Sequence, residues 1–270
     1  MKIFFQWEKW AYSHIASKII WKELDIQDEN IIGLGNFSKV WEMIDDNSIW
    51  VLPIENSYAG SIHENMYKFL RFDHKVIWEV NLDIRHCLMS KWNDISKIKK
   101  VYSHQQALSQ CYNFLSEHSM DAISYFDTAT AAKMVSENDD ESIAAIASSE
   151  AAKLYGLNVL KEWIQDQIGN TTRFFIVANK KNNIKLTQKS DKITIIFEAH
   201  NIPASLYKCL WAFATNNLNL SKIESLPSLK DPFSYMFWLD FKGKLGDTKV
   251  ENALKELKFF TKDYFIIWEY

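Results

Sequence analysis

Three polar clusters carry the side chains with which this chain could do chemistry. The first is Pro53-Ile54-Glu55-Asn56-Ser57, followed by Gly60 and Ser61. It closes the apolar run Ile49 to Ile54, which reads as a buried strand. Polar groups at the carboxyl end of such a strand lie on the edge where open α/β sheets bind ligands. Asn56 or Ser57 would equally serve as a helix cap, and spacing alone favours that plainer role. The second cluster, Ser103-His104-Gln105-Gln106, again follows a predicted strand (98–103), with Ser103 as the candidate cap. The third, Asn170-Thr171-Thr172-Arg173, leads straight into the apolar Phe174-Phe175-Ile176-Val177. An arginine at that point is either paired with a carboxylate of the fold or aimed at an anion. Spacing leaves both roles open.

Other pairings carry less. Gly33-Leu34-Gly35 lacks the third glycine of a phosphate-binding turn and reads as a loop. His63-Glu64 opens a zinc-protease pattern, but Tyr67 stands where the second histidine is needed, so no metal site follows. Cys111 lies seven residues after His104 on an apolar helix face, which makes it a packed core residue rather than a nucleophile. With Cys87 and Cys209 it forms neither a disulfide framework nor a zinc pattern.

The elements that must position these clusters alternate. Strands are predicted at 3–5, 49–54, 76–89, 98–103 and 143–147, and helices at 13–23, 36–46, 61–71, from Ser103 onward, 128–137 and 147–155. That order argues for a largely parallel sheet covered on both faces. Residues 180–191 are polar, carry four lysines and read as a linker. Beyond it come a strand at 193–197, a helix whose first turn holds Pro203, strands at 218–225 and 233–241, a helix through Val250, Leu254 and Leu257, and a strand at 264–270. This is βαββαβ, a ferredoxin-like unit. With 270 residues and 47% apolar content there is ample material for a core, and a net charge of −3 leaves no footprint for nucleic acid. No apolar run reaches 18 residues, so no membrane span is expected. Glu8 and Lys9 interrupt the N-terminus too early for a signal peptide, which makes a reduced cytoplasmic compartment the expectation.

Four stretches in order resemble the prephenate dehydratase family. VLPIENSYAGSI is similar to its PIENS–x–x–G motif, and VYSHQQALSQCYNFL to its SH–x–Q–A–L–x–Q–C segment. AAIASSEAAKLYGLNVLKEWIQDQIGNTTRFFIVAN is similar to the block ending in N–x–TRF. NIPASLYKCLWAFATNNLNLSKIESLPS resembles the effector region of an ACT domain, with GALV-like and ESRP-like motifs. The resemblance implies an α/β fold: a two-lobed, periplasmic-binding-protein-like catalytic domain at 1–180 and a ferredoxin-like ACT regulatory domain at 192–270. It implies a lyase of phenylalanine biosynthesis that turns prephenate into phenylpyruvate, water and carbon dioxide without a cofactor, as a homodimer or homotetramer. Thr172 and Arg173 would be catalytic. Glu55, Asn56, Ser57, Ser103, His104 and Phe174 would bind substrate. Ala204, Ser205, Leu206, Glu224 and Ser225 would face an L-phenylalanine effector. Arogenate dehydratase, the same chemistry on the aminated substrate, is the near alternative. A decayed module that only binds an amino acid and a periplasmic solute-binding protein are more distant ones.

The chain departs from the family at glycines. It has only 7, against 11 tryptophans. Trp7, Trp10, Trp50, Trp78, Trp211 and Trp268 stand where glycine is expected, Ala204 replaces the glycine of the GALV-like motif, and Leu226 replaces the arginine of ESRP. A side chain at a site demanding positive φ costs about 1–2 kcal/mol, so strain is expected at these positions, weak catalysis beside Trp7 and Trp10, and weakened or lost feedback at Leu226.

Overall fold

The computed structural model describes residues 1–6, 9, 11–24, 27–35, 41–184, 191–229, 231 and 234–269. Trp7 and Trp10 therefore lie outside the described residues, as do residues 36–40 of the helix expected at 36–46 and the centre of the linker; residues 41–43 of that expected helix are helical. The chain runs β1 (Lys2–Gln6), α1 (Tyr12–Leu24), β2 (Ile31–Leu34), β3 (Ser48–Asn56), β4 (Gly60–Ser61), α2 (His63–Lys68) and β5 (His74–Asp83). It continues with β6 (Cys87–Ser90), β7 (Lys100–Ser103), α3 (Gln105–Gln110), α4 (Tyr112–Glu117), β8 (Asp121–Ser124), α5 (Thr128–Ser136), β9 (Ile143–Ala147), α6 (Ser149–Tyr155), β10 (Asn158–Lys161) and β11 (Thr171–Asn179). It ends with β12 (Lys192–Ala199), α7 (Ser205–Thr215), β13 (Leu220–Pro227), β14 (Tyr235–Lys242), α8 (Thr248–Phe260) and β15 (Thr261–Glu269). Two units emerge: Met1–Lys68 with Glu79–Asn182, and Phe69–Trp78 with Asn183–Tyr270.

The first unit holds two sheets, of order β2-β1-β3-β11-β5 (with β4 on β3) and β10-β6-β9-β7-β8. The expectation of a largely parallel sheet needs correcting. β2, β1 and β3 run parallel, as do β9, β7 and β8, but β11 is antiparallel to β3, and β6 is antiparallel to both β9 and β10. The chain leaves the first sheet after β5 and comes back to it only through β11, so the returning strand runs against its neighbour. β9 reads Ile-Ala-Ala-Ile-Ala and is buried throughout. Its Ala145 and Ala147 face the alanines of α5 (Ala131, Ala132) and α6 (Ala151, Ala152), and side chains this small let helix and sheet pack closely. Ala144 and Ile146 point to the other face, against Leu88, Val101, Leu108 and Leu115. Burial on both faces is what an unbroken apolar run predicts.

Local chemistry sets the helix ends. Asp127 opens α5 with a reciprocal capping box, Ser148 caps α6, and Gly156 ends α6 at φ +64°, a conformation suited to glycine. The helix expected from Ser103 begins one residue later. Ser103 is fully buried and its hydroxyl donates to the Ile146 carbonyl at 2.6 Å, so His104 supplies the cap, and the helix is interrupted at Cys111 (φ −117°). Gly33 and Leu34 belong to β2 rather than to a loop.

The second unit is βαββαβ with sheet order β13-β14-β12-β15, the ferredoxin-like arrangement read from the pattern. Ile193, Ile195 and Phe197 of β12 and Leu239 and Phe241 of β14 pack under Cys209, Phe213, Val250 and Leu257 of the two helices. Strict alternation along β14 implied one apolar face, yet the other face is covered too. There Trp238 and Thr194 both donate to Asp240 at 2.8 Å, and the Phe69 ring lies 6.0 Å from Trp238.

Strain at the expected glycine positions falls differently from the prediction. Among the described residues, positive φ outside glycine occurs at Ser119, Trp163, Ala204 and Asn217. Trp50, Trp78 and Trp268 sit in strands and Trp211 in α7, where a side chain costs no backbone strain. Trp50 is fully buried in the middle of β3, and its indole N–H has no acceptor there. Ala204 does carry the strain, at φ +61°, ψ +17°, as the cap of α7. Ala204→Gly is expected to stabilise the protein by about 0.5–1 kcal/mol, measured as a higher urea midpoint at unchanged slope.

Candidate active site

A cavity of about 230 Å³ opens between the two sheets of the first unit. From the first sheet it receives the end of β1 (Gln6), the start of α1 (Tyr12, Ser13), Pro53 and Asn56 of β3, and Thr172 and Phe174 of β11. His86, His104, Gln110 and Asp127 close it from the other side. Pro53 and Asn56 are three residues apart and would point to opposite faces of a regular strand. A bulge brings them together: Arg173 pairs with Glu55 and Phe174 with Pro53, so Ile54 has no counterpart on β11. Proline at such a point sacrifices no ladder hydrogen bond.

Asn56 fixes the polarity of the site. Its Oδ1 accepts the N–H groups of Tyr58 and Ala59 at 3.0 and 2.9 Å, closing the turn into β4 that Gly60 completes at φ +80°. Its Nδ2 must therefore donate, and it does so to Asn170 Oδ1 at 2.7 Å and Thr172 Oγ1 at 3.0 Å. The Asn170 amide then donates to Gln110 Oε1 at 2.9 Å. The same oxygen lies 2.9 Å from His86 Nε2, so that nitrogen carries the proton. Burial holds the His86 pKa below its usual value, which keeps the ring neutral with Nδ1 unprotonated, 3.2 Å from the Tyr12 hydroxyl, whose single proton goes to the nearer Arg85 carbonyl at 2.8 Å. The chain Thr172–Asn56–Asn170–Gln110–His86 thus runs from one sheet to the other with each of its donors assigned.

The consequence falls on Thr172, which is 9% exposed. Its oxygen accepts from Asn56, and among the described residues none accepts its proton. That proton is available to a molecule in the cavity. His104 also lines the cavity, and its Nδ1 accepts the Gln106 N–H at 3.2 Å, which places a proton on Nε2. In the first turn of α1 the His14 and Ile15 N–H groups donate to the Ala11 carbonyl at 2.9 and 3.2 Å, which leaves those of the cavity-lining Tyr12 and Ser13 without a partner in the helix.

Not all predicted site residues gather here. Asn56, His104, Thr172 and Phe174 line the cavity. Arg173 does not. β-strand alternation sends it to the opposite face, where Nε lies 2.5 Å from Glu79 Oε2 and a terminal nitrogen 3.7 Å from Glu55 Oε2. Of the two roles open to this arginine, the geometry shows pairing with carboxylates of the fold, and Glu55 is spent in that pairing. Ser57 lies outside the cavity and clasps the crossing segment, donating to the Gly169 carbonyl at 3.2 Å and accepting the Thr171 N–H at 3.0 Å. Ser103 is buried in the sheet interior. Cys111 packs in the core, and burial pushes its thiol pKa up, against a nucleophilic role. His86, Gln110 and Asp127 were not singled out from sequence. Asp127 follows β8 as His104 follows β7, so the carboxyl-edge argument applied there would have found it. His86 sits on a chain crossing with no pattern to mark it.

In the second unit, Ala204 is exposed at the start of α7, Ser205 is buried there, and Leu206 packs on the core. Glu224 faces Lys222 along β13 at 3.8 Å, and Ser225 is exposed. Leu226, at the position of the missing arginine, is fully buried. Among the described residues no cluster of three His, Cys, Asp or Glu side chains could hold a metal ion, and no helix is long and apolar enough to cross a membrane.

The prephenate dehydratase family model matches residues 3–182. A prephenate dehydratase of Methanocaldococcus jannaschii is 40% identical over 252 residues, covering 93% of this chain and 90% of its own length. Arogenate dehydratase/prephenate dehydratase 1 of Arabidopsis thaliana is 42% identical over 228 residues, which is 78% of this chain and 57% of that protein. Among solved structures, the prephenate dehydratase of Staphylococcus aureus superposes with a TM-score of 0.86 at 27% identity, covering 99% of both chains. That of Arthrobacter aurescens in complex with L-Phe gives 0.86 at 26%, covering 100% of this chain and 90% of the other. A protein described as a novel type of quorum-quenching acylase gives 0.84 at 28%, covering 99% and 97%. Fold alone therefore leaves the chemistry to the cavity residues. The match over two thirds of the sequence and the 40% identity to a full-length relative settle the lineage: this chain belongs to the prephenate dehydratase family.

Proposed function

We propose that this protein is a carbon–oxygen lyase that converts prephenate to phenylpyruvate, water and carbon dioxide. The observation that carries the reading is the Thr172 hydroxyl, held by Asn56 so that its proton points away from the protein's own acceptors. The ring hydroxyl of prephenate departs poorly as free hydroxide. A donor fixed at that oxygen stabilises the charge that develops on it. A threonine hydroxyl is too weak an acid to give up its proton outright, so Thr172 acts first as a hydrogen-bond donor. Loss of carbon dioxide from the ring carboxylate supplies the electron pair that forms the new double bond, and aromatisation drives the step, so the scheme calls for no oxidant or reductant. Phe174 gives the ring an apolar wall. The Tyr12 and Ser13 N–H groups at the start of α1 supply neutral donors for carboxylate, and His104 lines the same cavity. Arogenate undergoes the same steps with an ammonium in place of the keto group. Purified protein is expected to form phenylpyruvate from prephenate; no product from either substrate by folded protein would remove the reading.

We further read residues 192–270 as an ACT-type regulatory domain following a catalytic domain at 1–180, in a cytoplasmic homodimer or homotetramer. The ferredoxin-like sheet and the L-Phe complex of the Arthrobacter relative support this. Ala204, Ser205, Leu206, Glu224 and Ser225 would face the effector. Leu226 offers no charge where the family has an arginine, so inhibition should be weak. Titration with L-phenylalanine is expected to leave activity unchanged in the micromolar range; a fall to half activity there would contradict it.

A further inference from the structure

Gln6 ends the otherwise apolar Ile3-Phe4-Phe5 run of β1, at the carboxyl edge of the parallel part of the first sheet. The residue is 7% exposed, and among the described residues its side chain has no hydrogen-bond partner. Of its two amide ends, Oε1 is the one sealed from solvent; Nε2 is the open one, in a residue that lines the cavity. An amide buried this far is costly unless something replaces the hydrogen bonds that water gave it. The Tyr12 and Ser13 N–H groups, which have no acceptor in α1, line the same cavity. α1 runs for 13 residues, so its N-terminal end carries a partial positive charge. No lysine or arginine lines the cavity among the described residues. An anion there must be held by neutral donors, and Gln6 Nε2 adds two N–H groups to those of the helix.

The two carboxylates of the substrate have different fates. The ring carboxylate gives up its charge as carbon dioxide leaves, so donors fixed on it would favour the ground state over the transition state. The side-chain carboxylate keeps its charge from substrate to product, so donors fixed on it hold both states equally well. We propose that Gln6 Nε2 and the N–H groups opening α1 seat the side-chain carboxylate. The inference rests on the dehydratase reading and adds to it the direction in which the substrate lies: its tail at α1 and its departing hydroxyl at Thr172. Gln6 is then a binding residue, and it serves prephenate and arogenate alike because both carry this carboxylate.

The test joins kinetics and calorimetry on wild type and Gln6→Met, which keeps the length of the side chain and removes its donors. KM is expected to rise at least about tenfold, as for a lost hydrogen bond to a charged group, with kcat within about threefold of wild type. Calorimetry uses 3-phenylpropanoate, whose one carboxylate is that of the side chain, and the neutral 3-phenylpropanamide. Wild type is expected to bind the carboxylate at least about tenfold more tightly, and Gln6→Met to lose most of that preference. An unchanged KM in Gln6→Met, or a loss confined to kcat, overturns the inference. So does equal binding of the two ligands by wild type, a result that needs no folded variant. Folded wild type that turns over neither substrate overturns the dehydratase reading, while the calorimetric contrast still decides the carboxylate seat.

Discussion

Thr172→Val is expected to lower kcat for dehydration by about 10²–10³-fold with little change in KM. Valine has nearly the shape of threonine and suits a strand, so neither a cavity nor a register shift confuses the result. What is lost is the hydroxyl whose proton no described protein acceptor takes. The magnitude is that of removing one preorganised donor from a developing oxyanion. The substrate hydroxyl gains its negative charge only as the bond breaks, so the loss belongs in kcat rather than in binding. Stability should fall by only about 1 kcal/mol, because Asn56 Nδ2 keeps its 2.7 Å bond to Asn170. Thr172→Ser, with the hydroxyl restored, should recover most of the rate. Steady-state kinetics on all three proteins decides it, and equal kcat for valine and threonine would remove Thr172 from the chemistry.

Arg173→Met is expected to act on stability instead, by about 3–5 kcal/mol. The Arg173 side chain is 11% exposed and that of Glu79 8%, so removing the arginine strands a buried carboxylate. Asn81 donates to Glu79 at 3.3 Å, which offsets only part of the loss. A shift in Tm on the order of 10 °C should follow. Glu79→Leu added to Arg173→Met should recover much of it, because the stranded charge is then gone. KM of the folded variant should stay within about threefold of wild type. A KM raised by an order of magnitude or more with normal Tm would instead mean that Arg173 leaves its carboxylate partners to grip substrate. The two variants thus separate neighbouring residues by the faces of β11 they occupy.

Much of the fold was legible because burial leaves a periodic trace. β3 and β9 read as unbroken apolar runs, α1 shows a stripe through Ile15, Ile19 and Ile20, and β14 alternates strictly. The antiparallel return of β11 left no trace, since strand direction depends on where the chain crosses between sheets. The site was legible in part. Thr172 and His104 carry motif signals, and each follows or begins a strand. The role of Arg173 stayed open, although alternation from Thr172 already places it on the far face. The network through Asn170, Gln110 and His86 could not be read, because it forms only when two crossing segments, 84–86 and 162–170, bring distant residues together. The bulge that aims Pro53 and Asn56 into one cavity was equally silent, since nothing in Pro53-Ile54-Glu55-Asn56 says which residue goes unpaired.

The most direct test of the account is product stoichiometry. Purified wild type would be offered prephenate, then arogenate, with carbon dioxide and aromatic product counted together. The account predicts one carbon dioxide for each phenylpyruvate or phenylalanine formed, with saturation in either substrate. Folded protein that leaves both substrates intact, or releases an aromatic product without carbon dioxide, would contradict it.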